Sequence, residues 1–447
     1  MKISELKNKK IAILWFWKEG ESTLSFLRKL WIIDITILDR EAIVLLNDTS
    51  KIKTISGDKY LDELDSYDII FKTPGISPFQ EKLESYRNKF VSQTSIFFEN
   101  YGKKVIAITG TKGKSTIATL TYLALKQAGY KVKLVGNIGK PVLDEINILE
   151  REEYEYVVYE MSSYMLQDFI PRTFISLFNN VYTCHIDWHK SFDVYEKAKL
   201  GILEQAQHKL VNNEFTSKIE WNFEVFWYEW KYYYKEKDFF IDEQKILNNP
   251  KILLEGEHNK KNICGVMGIL DIVIWENQKI RKVLEQVLWS FSWLPDRMER
   301  IRELNGITFI NDAIATTPES SIAAINTFEE QLGTLFLGGE DSGFDFSTLR
   351  KKVLDSGIQN IIAFPDAVEK IFPEIGSYDF ENPFSLEIEG KSMQFFRTRS
   401  MKSWVDFAYK NTQKWKIALL SCAAPSFSIW KSYRVKAEEF KKYVEKL

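Results

Sequence analysis

Seven residues, Gly110-Thr111-Lys112-Gly113-Lys114-Ser115-Thr116, stand between an apolar run, VIAIT, and a helical one, IATLTYLALKQAGY. Glycines at such a turn let backbone N–H groups approach phosphate oxygens, and the following helix adds its positive N-terminal end. Lys114 then reaches the β and γ phosphates, while the Ser115 hydroxyl is placed to ligate Mg²⁺. The spacing is shorter than GxxxxGK[ST], because Ile108 occupies the position of the first glycine. Two further groups can do chemistry beside it. Glu160 ends the apolar run YVVYE, and His185 follows FISLFNNV. A carboxylate and an imidazole at neighbouring strand ends can hold divalent metal between a nucleotide and a second substrate, although a strand-end Glu taken alone reads as a cap or an ion-pair partner.

These residues need a parallel sheet whose strand tips share one edge. The first hundred residues alternate accordingly: KIAILWF reads as a strand, STLSFLRKL as a helix, DITILDR and YDIIFKTPGIS as strands. A second unit starts at Lys104 with strand, glycine loop and helix, and continues through YEYVVYE and TFISLFNNV. Residues 213–255 are rich in aromatics (FEVFWYEWKYYY, KDFFIDEQKIL) and are expected to form antiparallel hairpins with aromatic cross-strand pairs. After LPDRMERIREL a third alternating block follows: GITFIND, a helix from Pro318, GTLFLGG, IQNIIAF, KIALLSC and a last helix. The expected fold is α/β in three domains, 1–100, 101–297 and 298–447. The first and last are Rossmann-like and the central one carries the phosphate loop on a mostly parallel sheet.

Composition agrees with such a chain and excludes others. With 447 residues, 45% hydrophobic and 27% charged, it can bury several cores. Sixty Lys and Arg against 62 Asp and Glu give a net charge of -2 and no basic stripe, so nucleic-acid binding is not expected. Cys184, Cys264 and Cys422 are too scattered for a disulfide framework or a zinc ribbon. The apolar run near the N-terminus is too short for a signal or a membrane span. A cytoplasmic protein without membrane insertion, and a monomer, is the expectation.

The order of these motifs, over nearly the whole chain, resembles the Mur ligases, the ATP-dependent amide-bond-forming ligases of peptidoglycan precursor synthesis. Residues 110–116 match the family's ATP-binding GTKGKST. Asn137-Ile138-Gly139 matches its NIG segment near the uridine nucleotide, and Glu160-Met161-Ser162-Ser163-Tyr164 is similar to its ELSSFQLE. Asn180 to Asp187 is similar to NxxxDHxD. The resemblance implies Glu160, His185 and Ser115 as magnesium ligands, with Lys114 on the phosphates. It also implies that Lys199, which by spacing alone is an exposed helix residue, is carbamylated and completes the metal site. Asn259 and Asn262, in an HNxxN pattern, are implied adenine contacts, with Arg297 and Asp312 further ATP contacts. Asp39, Asn137, Gly139 and Ser162 are implied on the nucleotide substrate, and Thr316, Ser426 and Tyr433 on the amino acid. The implied reaction, with ATP and Mg²⁺, forms an acyl phosphate on UDP-N-acetylmuramoyl-L-alanine that the amine of D-glutamate attacks. Alternatives are the branch that adds L-glutamate, a folate-extending relative, and a non-catalytic nucleotide-binding protein. The Mur-like first domain argues against the folate enzyme, and intact Lys114, Glu160, His185 and Lys199 argue against the last.

The chain departs from the family pattern in two ways. Ile314 and Ser342 replace lysines near the incoming amino acid, Cys184 stands at an Asp position and Asp296 at a His position. Trp15, Trp17, Trp31, Trp293 and Trp415 occupy positions where the family has glycine, in a chain with 13 Trp and only 21 Gly. One explanation is UGA codons meaning glycine but read as tryptophan. The other is five real substitutions, which would argue against uridine-nucleotide binding by the first domain.

Overall fold

The computed structural model describes the chain except residues 17, 42–51, 102–103, 138–140, 147–153, 220–221, 228–229, 251, 253–255, 292–295 and 377–381. Gly139, Trp17 and Trp293 therefore lie outside the described residues. The chain divides into two compact units, Met1–Ile252 with Glu257–Ser290, and Leu253–Gly256 with Phe291–Leu447.

The first unit holds two sheets. β1 (Ile11–Leu14), β2 (Ile35–Asp39), β3 (Lys53–Ser56), β4 (Ile69–Lys72) and β5 (Phe90–Val91) form one in the order β3-β2-β1-β4-β5, all parallel. The second sheet contains β6 (Val105–Thr109), β7 (Val132–Gly136), β8 (Tyr156–Glu160), β9 (Arg172–Phe178) and β10 (Gln205–Asn212). It continues through β11 (Glu224–Phe226), β12 (Tyr232–Lys235), β13 (Asp238–Ile241) and β14 (Gln244–Leu247), in the order β14-β13-β12-β11-β10-β9-β6-β8-β7. Strand β6 is buried at every position, as a parallel strand covered on both faces must be. Burying Val105, Ile106 and Ile108 completely contributes roughly 1.5–3 kcal/mol each.

The expected hairpins are β12-β13-β14, with Tyr233 opposite Phe240 and Tyr234 opposite Phe239, each pair of rings 4.8 Å apart. The stretch FEVF, also expected in an antiparallel hairpin, supplies β11 instead, which runs parallel to both β10 and β12 and so joins the hairpins to the central sheet.

The second unit has one seven-stranded sheet. Its strands are β15 (Glu299–Leu304), β16 (Ile307–Asn311), β17 (Leu332–Gly339), β18 (Asn360–Asp366), β19 (Phe384–Ile388), β20 (Lys391–Arg397) and β21 (Ile417–Ala423). The order is β15-β16-β21-β17-β18-β20-β19. Its two edge strands are antiparallel to their neighbours; the five between run parallel. Pro318 at the start of the helix Pro318–Phe328 and the Thr317 cap, which accepts from the Ser320 N–H, fix where that helix begins.

Candidate active site

Strand β6 lies between β8 and β9, with Ile108 opposite Glu160 and Thr109 opposite Phe178. The strand order reverses at this point, and three chain segments leave the sheet side by side. The loop after β6 enters the helix Lys114–Gln127 through Gly113, whose φ of 81° and close neighbours both demand glycine: a Cβ there would sit 2.4 Å from Asn262 Oδ1. Two asparagines after β9 brace the loop. The Lys112 N–H donates to Asn180 Oδ1 (2.9 Å), and the Lys112 carbonyl accepts from the side-chain amides of Asn179 (3.0 Å) and Asn180 (3.2 Å). Asn179 also donates to Asn262 Oδ1 (3.2 Å), and Asn262 donates to Asn259 Oδ1 (3.1 Å). Asn259 and Asn262 are thus only 2% exposed and buttress the loop from behind. Lys114 Nζ folds back onto the carbonyls of Gly110 (3.0 Å) and Thr111 (3.1 Å), and Thr111 Oγ1 meets the Tyr195 hydroxyl at 2.7 Å. Sequence reasoning missed Asn179, Asn180 and Tyr195 as loop supports. The Asn-Asn pair directly after an apolar strand was the available signal.

Beside this loop stand three chemically unusual groups. Glu160 is 1% exposed; its Oε1 accepts from Asn137 Nδ2 (3.3 Å), and its Oε2 is buried without a hydrogen-bond partner among the described residues. Leaving a buried carboxylate oxygen unpaired costs several kcal/mol unless a cation or another donor meets it. Lys199 is buried, not exposed as its spacing alone suggested. Its helix, Phe192–Leu200, turns that face inward, and Nζ donates to the Gly110 carbonyl (2.8 Å) and Thr109 Oγ1 (3.5 Å). Burial, then the nearby Lys114 ammonium, holds its pKa well below the ordinary lysine value. His185 sits at a left-handed residue (φ 57°) with Nδ1 2.8 Å from the Tyr164 hydroxyl. Packing, followed by the charges of Lys199, Lys114 and Lys112, pulls its pKa down to about 4. The ring keeps solvent access, but even an unshifted imidazole is mostly neutral at pH 7.5. Among the described residues no three His, Cys, Asp or Glu side chains gather as a ready metal cage. One carboxylate and one imidazole beside a phosphate loop suit instead a cation that keeps most of its ligands from substrate oxygens and water.

Residues 108–270 match the Mur ligase middle domain. A UDP-N-acetylmuramoylalanine–D-glutamate ligase from Clostridium botulinum is 30% identical over 99% of this chain and 98% of its own. The chain belongs to the Mur ligase family. The enzyme of the same name from Acetivibrio thermocellus is 28% identical over 99% of this chain and 97% of its own. Among solved structures, MurF from Acinetobacter baumannii superposes with a TM-score of 0.59 at 16% identity, covering 100% of this chain and 93% of that one. A UDP-N-acetylmuramate–alanine ligase from Thermotoga maritima gives 0.57 at 15% identity, over 98% and 100%. These two establish the fold of a three-sheet Mur ligase.

The other expected residues of this Mur ligase fall in three places. In the first sheet the Asp39 carboxylate, at the tip of β2, accepts from the N–H groups of Phe16 (2.7 Å) and Glu41 (3.0 Å), so it fixes the turn after β1. Ser162 caps the short helix Ser163–Leu166, accepting from the Met165 N–H. In the second unit, considered by itself, Asp312 is 3% exposed at the end of β16. It accepts from the Ser421 hydroxyl (2.9 Å) and the Met298 N–H (3.2 Å). Burial outweighs these bonds and the charges of Arg297 and Lys436, and pushes its carboxyl up to about 7. Ser426 is 3% exposed and its hydroxyl has no partner among the described residues, and Tyr433 opens the last helix, Tyr433–Glu445. Asp296 is tied down by Lys441 (3.0 Å) and Asn311 (3.0 Å), a structural use that explains why an acid is stable at that position.

Proposed function

We propose that the protein is the ATP-dependent ligase that adds D-glutamate to UDP-N-acetylmuramoyl-L-alanine, releasing ADP and phosphate. The observation that carries the chemistry is the Oε2 of buried Glu160, unpaired among the described residues, at the end of the strand beside β6, whose own end holds the braced phosphate loop and accepts from Lys199. The full-length likeness to ligases of that name supports the choice of substrates.

In this reading Gly110 to Thr116 cradle the phosphates, with Lys114 leaving its two carbonyl partners to follow the γ-phosphoryl group. The substrate carboxylate takes that group, and the neutral amine of glutamate attacks the resulting acyl phosphate, so that phosphate leaves with its bonding electrons. Glu160, the Ser115 hydroxyl and His185 through Nε2 fit Mg²⁺, which when bound spreads the charge of the transferring group. Lys199, once carbamylated, would supply a fourth ligand. Its depressed pKa supplies the neutral amine that carbon dioxide needs, and the carbamate so formed places a negative charge beside the Lys114 ammonium. A metal-bound His185 is a poor acceptor for the amine proton, which another base must take. Asn259, Asn262, Arg297 and Asp312 are assigned to ATP, and Asp39, Asn137, Gly139 and Ser162 to the nucleotide substrate. Thr316, Ser426 and Tyr433 are assigned to glutamate. The assignment divides the chain at 100/101 and 297/298.

The test is phosphate release from ATP by the purified protein given UDP-N-acetylmuramoyl-L-alanine and either enantiomer of glutamate. Release that requires the D form is expected. Release with the L form alone moves the protein to the other branch, and no release with either refutes the proposal.

A further inference from the structure

Five tryptophans adopt left-handed backbone: Trp15 (φ 70°), Trp31 (60°), Trp227 (78°), Trp275 (60°) and Trp415 (68°). The chain has 13 tryptophans, three of which (Trp17, Trp221 and Trp293) lie outside the described residues, so half of the remaining ten are left-handed. No described phenylalanine or tyrosine is, although the chain contains 31 and 20 of them. The clash that excludes this region involves Cβ and the backbone and is common to all three aromatic residues. Its concentration in tryptophan alone therefore does not come from the side chain's chemistry.

Trp31 shows what residue the backbone asks for. The helix Lys18–Lys29 ends with the Ile32 N–H on the Leu27 carbonyl (3.2 Å) and the Trp31 N–H on the Arg28 carbonyl (2.9 Å). The helix Lys114–Gln127 ends with the same pair of bonds, Tyr130 to Leu125 and Gly129 to Lys126, both 3.1 Å, and there the left-handed residue is Gly129 (φ 94°). Trp275 likewise follows the last residue of the helix Glu257–Ile274. The side chains of Trp31, Trp275 and Trp415 are 90%, 83% and 80% exposed, so packing does not hold them in this conformation.

Trp15 lies where the consequence for function is largest. It directly follows β1, its N–H bound to the Leu38 carbonyl (2.8 Å), and its indole lies on the turn Thr73-Pro74-Gly75-Ile76: a Cβ on Gly75 would be 1.9 Å from the ring. An indole thus covers the carboxyl end of the central strand of the first sheet, where an open parallel sheet receives its ligand. Trp188, Trp404 and Trp430 behave differently. Trp188 Nε1 donates to the Gly75 carbonyl (3.0 Å), Trp404 and Trp430 are 0% and 6% exposed, and none of the three has positive φ.

We propose that the native polypeptide carries glycine at positions 15, 31, 227, 275 and 415, specified by UGA codons that its cell reads as glycine, and that the indole over Gly75 is absent from it. Positions 227 and 275 join the set on backbone conformation alone. Trp188, Trp404 and Trp430 are genuine and specified by UGG.

Two measurements test this independently of any ligase activity, so failure of the functional proposal leaves the test intact. The first reads the gene. UGA at all five positions with UGG at 188, 404 and 430 is expected; UGG at any of the five overturns the proposal. The second is peptide mass spectrometry of the protein isolated from its own cells. Each peptide spanning one of the five positions is expected to be lighter by the mass difference between tryptophan and glycine. Peptides with the tryptophan mass there overturn it.

Discussion

Replacing Trp31 and Trp275 together by glycine in a recombinant chain that carries both tryptophans is expected to stabilise the first unit by about 1 kcal/mol, against the usual sign for removing a large apolar side chain. Left-handed backbone costs an L-residue roughly 1–2 kcal/mol, and both positions have φ of 60°. The indoles are 90% and 83% exposed. Each therefore buries only a few tens of Å², worth about 0.5 kcal/mol. The extra freedom of glycine in the unfolded chain removes about 0.5 kcal/mol more. The balance is about 0.5 kcal/mol gained per position. Trp404→Gly, at a fully buried site in the second unit, is the opposite control and is expected to cost roughly 3–5 kcal/mol. Urea unfolding followed by far-ultraviolet circular dichroism reads both variants, each in the transition of its own unit compared at constant m-value. A loss of more than about 1 kcal/mol in the double variant would falsify the reasoning, since it would mean that the indoles make contacts worth more than the backbone strain.

Lys114→Ala is expected to lower kcat for ATP turnover about 1,000-fold without unfolding the protein, as checked by circular dichroism, because the bonds it breaks to the Gly110 and Thr111 carbonyls lie within the loop itself. Retained turnover would remove the phosphate loop from the mechanism. Glu160→Gln keeps the shape and removes the charge, so the Mg²⁺ concentration for half-maximal activity should rise at least about tenfold; an unchanged Mg²⁺ titration would show that the orphaned oxygen serves something else. Asp312 links stability to pH. Its carboxyl titrates near 3.8 unfolded and near 7 in the fold, so the folded state binds the extra proton between those values. Stability is complete below about pH 4 and falls as pH rises through 7, by on the order of 4 kcal/mol. Asp312→Asn should flatten that fall in the second unit's unfolding midpoint between pH 5 and 8, and a parallel curve would contradict the assignment.

The phosphate loop was legible because its chemistry is local: glycine, lysine and hydroxyl lie within seven residues, between runs whose periodicities differ. Glu160 and His185 were legible as strand-end residues, since parallel strands deliver their ends to one edge. The role of Asn179, Asn180 and Asn262 was not, because the bonds that brace Lys112 and Gly113 span 67 to 83 residues. Strand β15 was also missed. Its sequence, ERIREL, is half-exposed and charged, and only pairing with β16 makes it a strand.

By itself the sequence determined the α/β class, the phosphate loop with its flanking strand and helix, and the family, all of which follow from apolar periodicity and short motifs. Only the tertiary structure decided which charges are buried. Lys199 reads as a solvated helix residue until its helix is packed against β6, when desolvation and Lys114 strip its proton affinity. The tertiary structure likewise separated the tryptophans, because backbone φ at a helix end is set by the hydrogen bonds that close the helix and not by the residue found there.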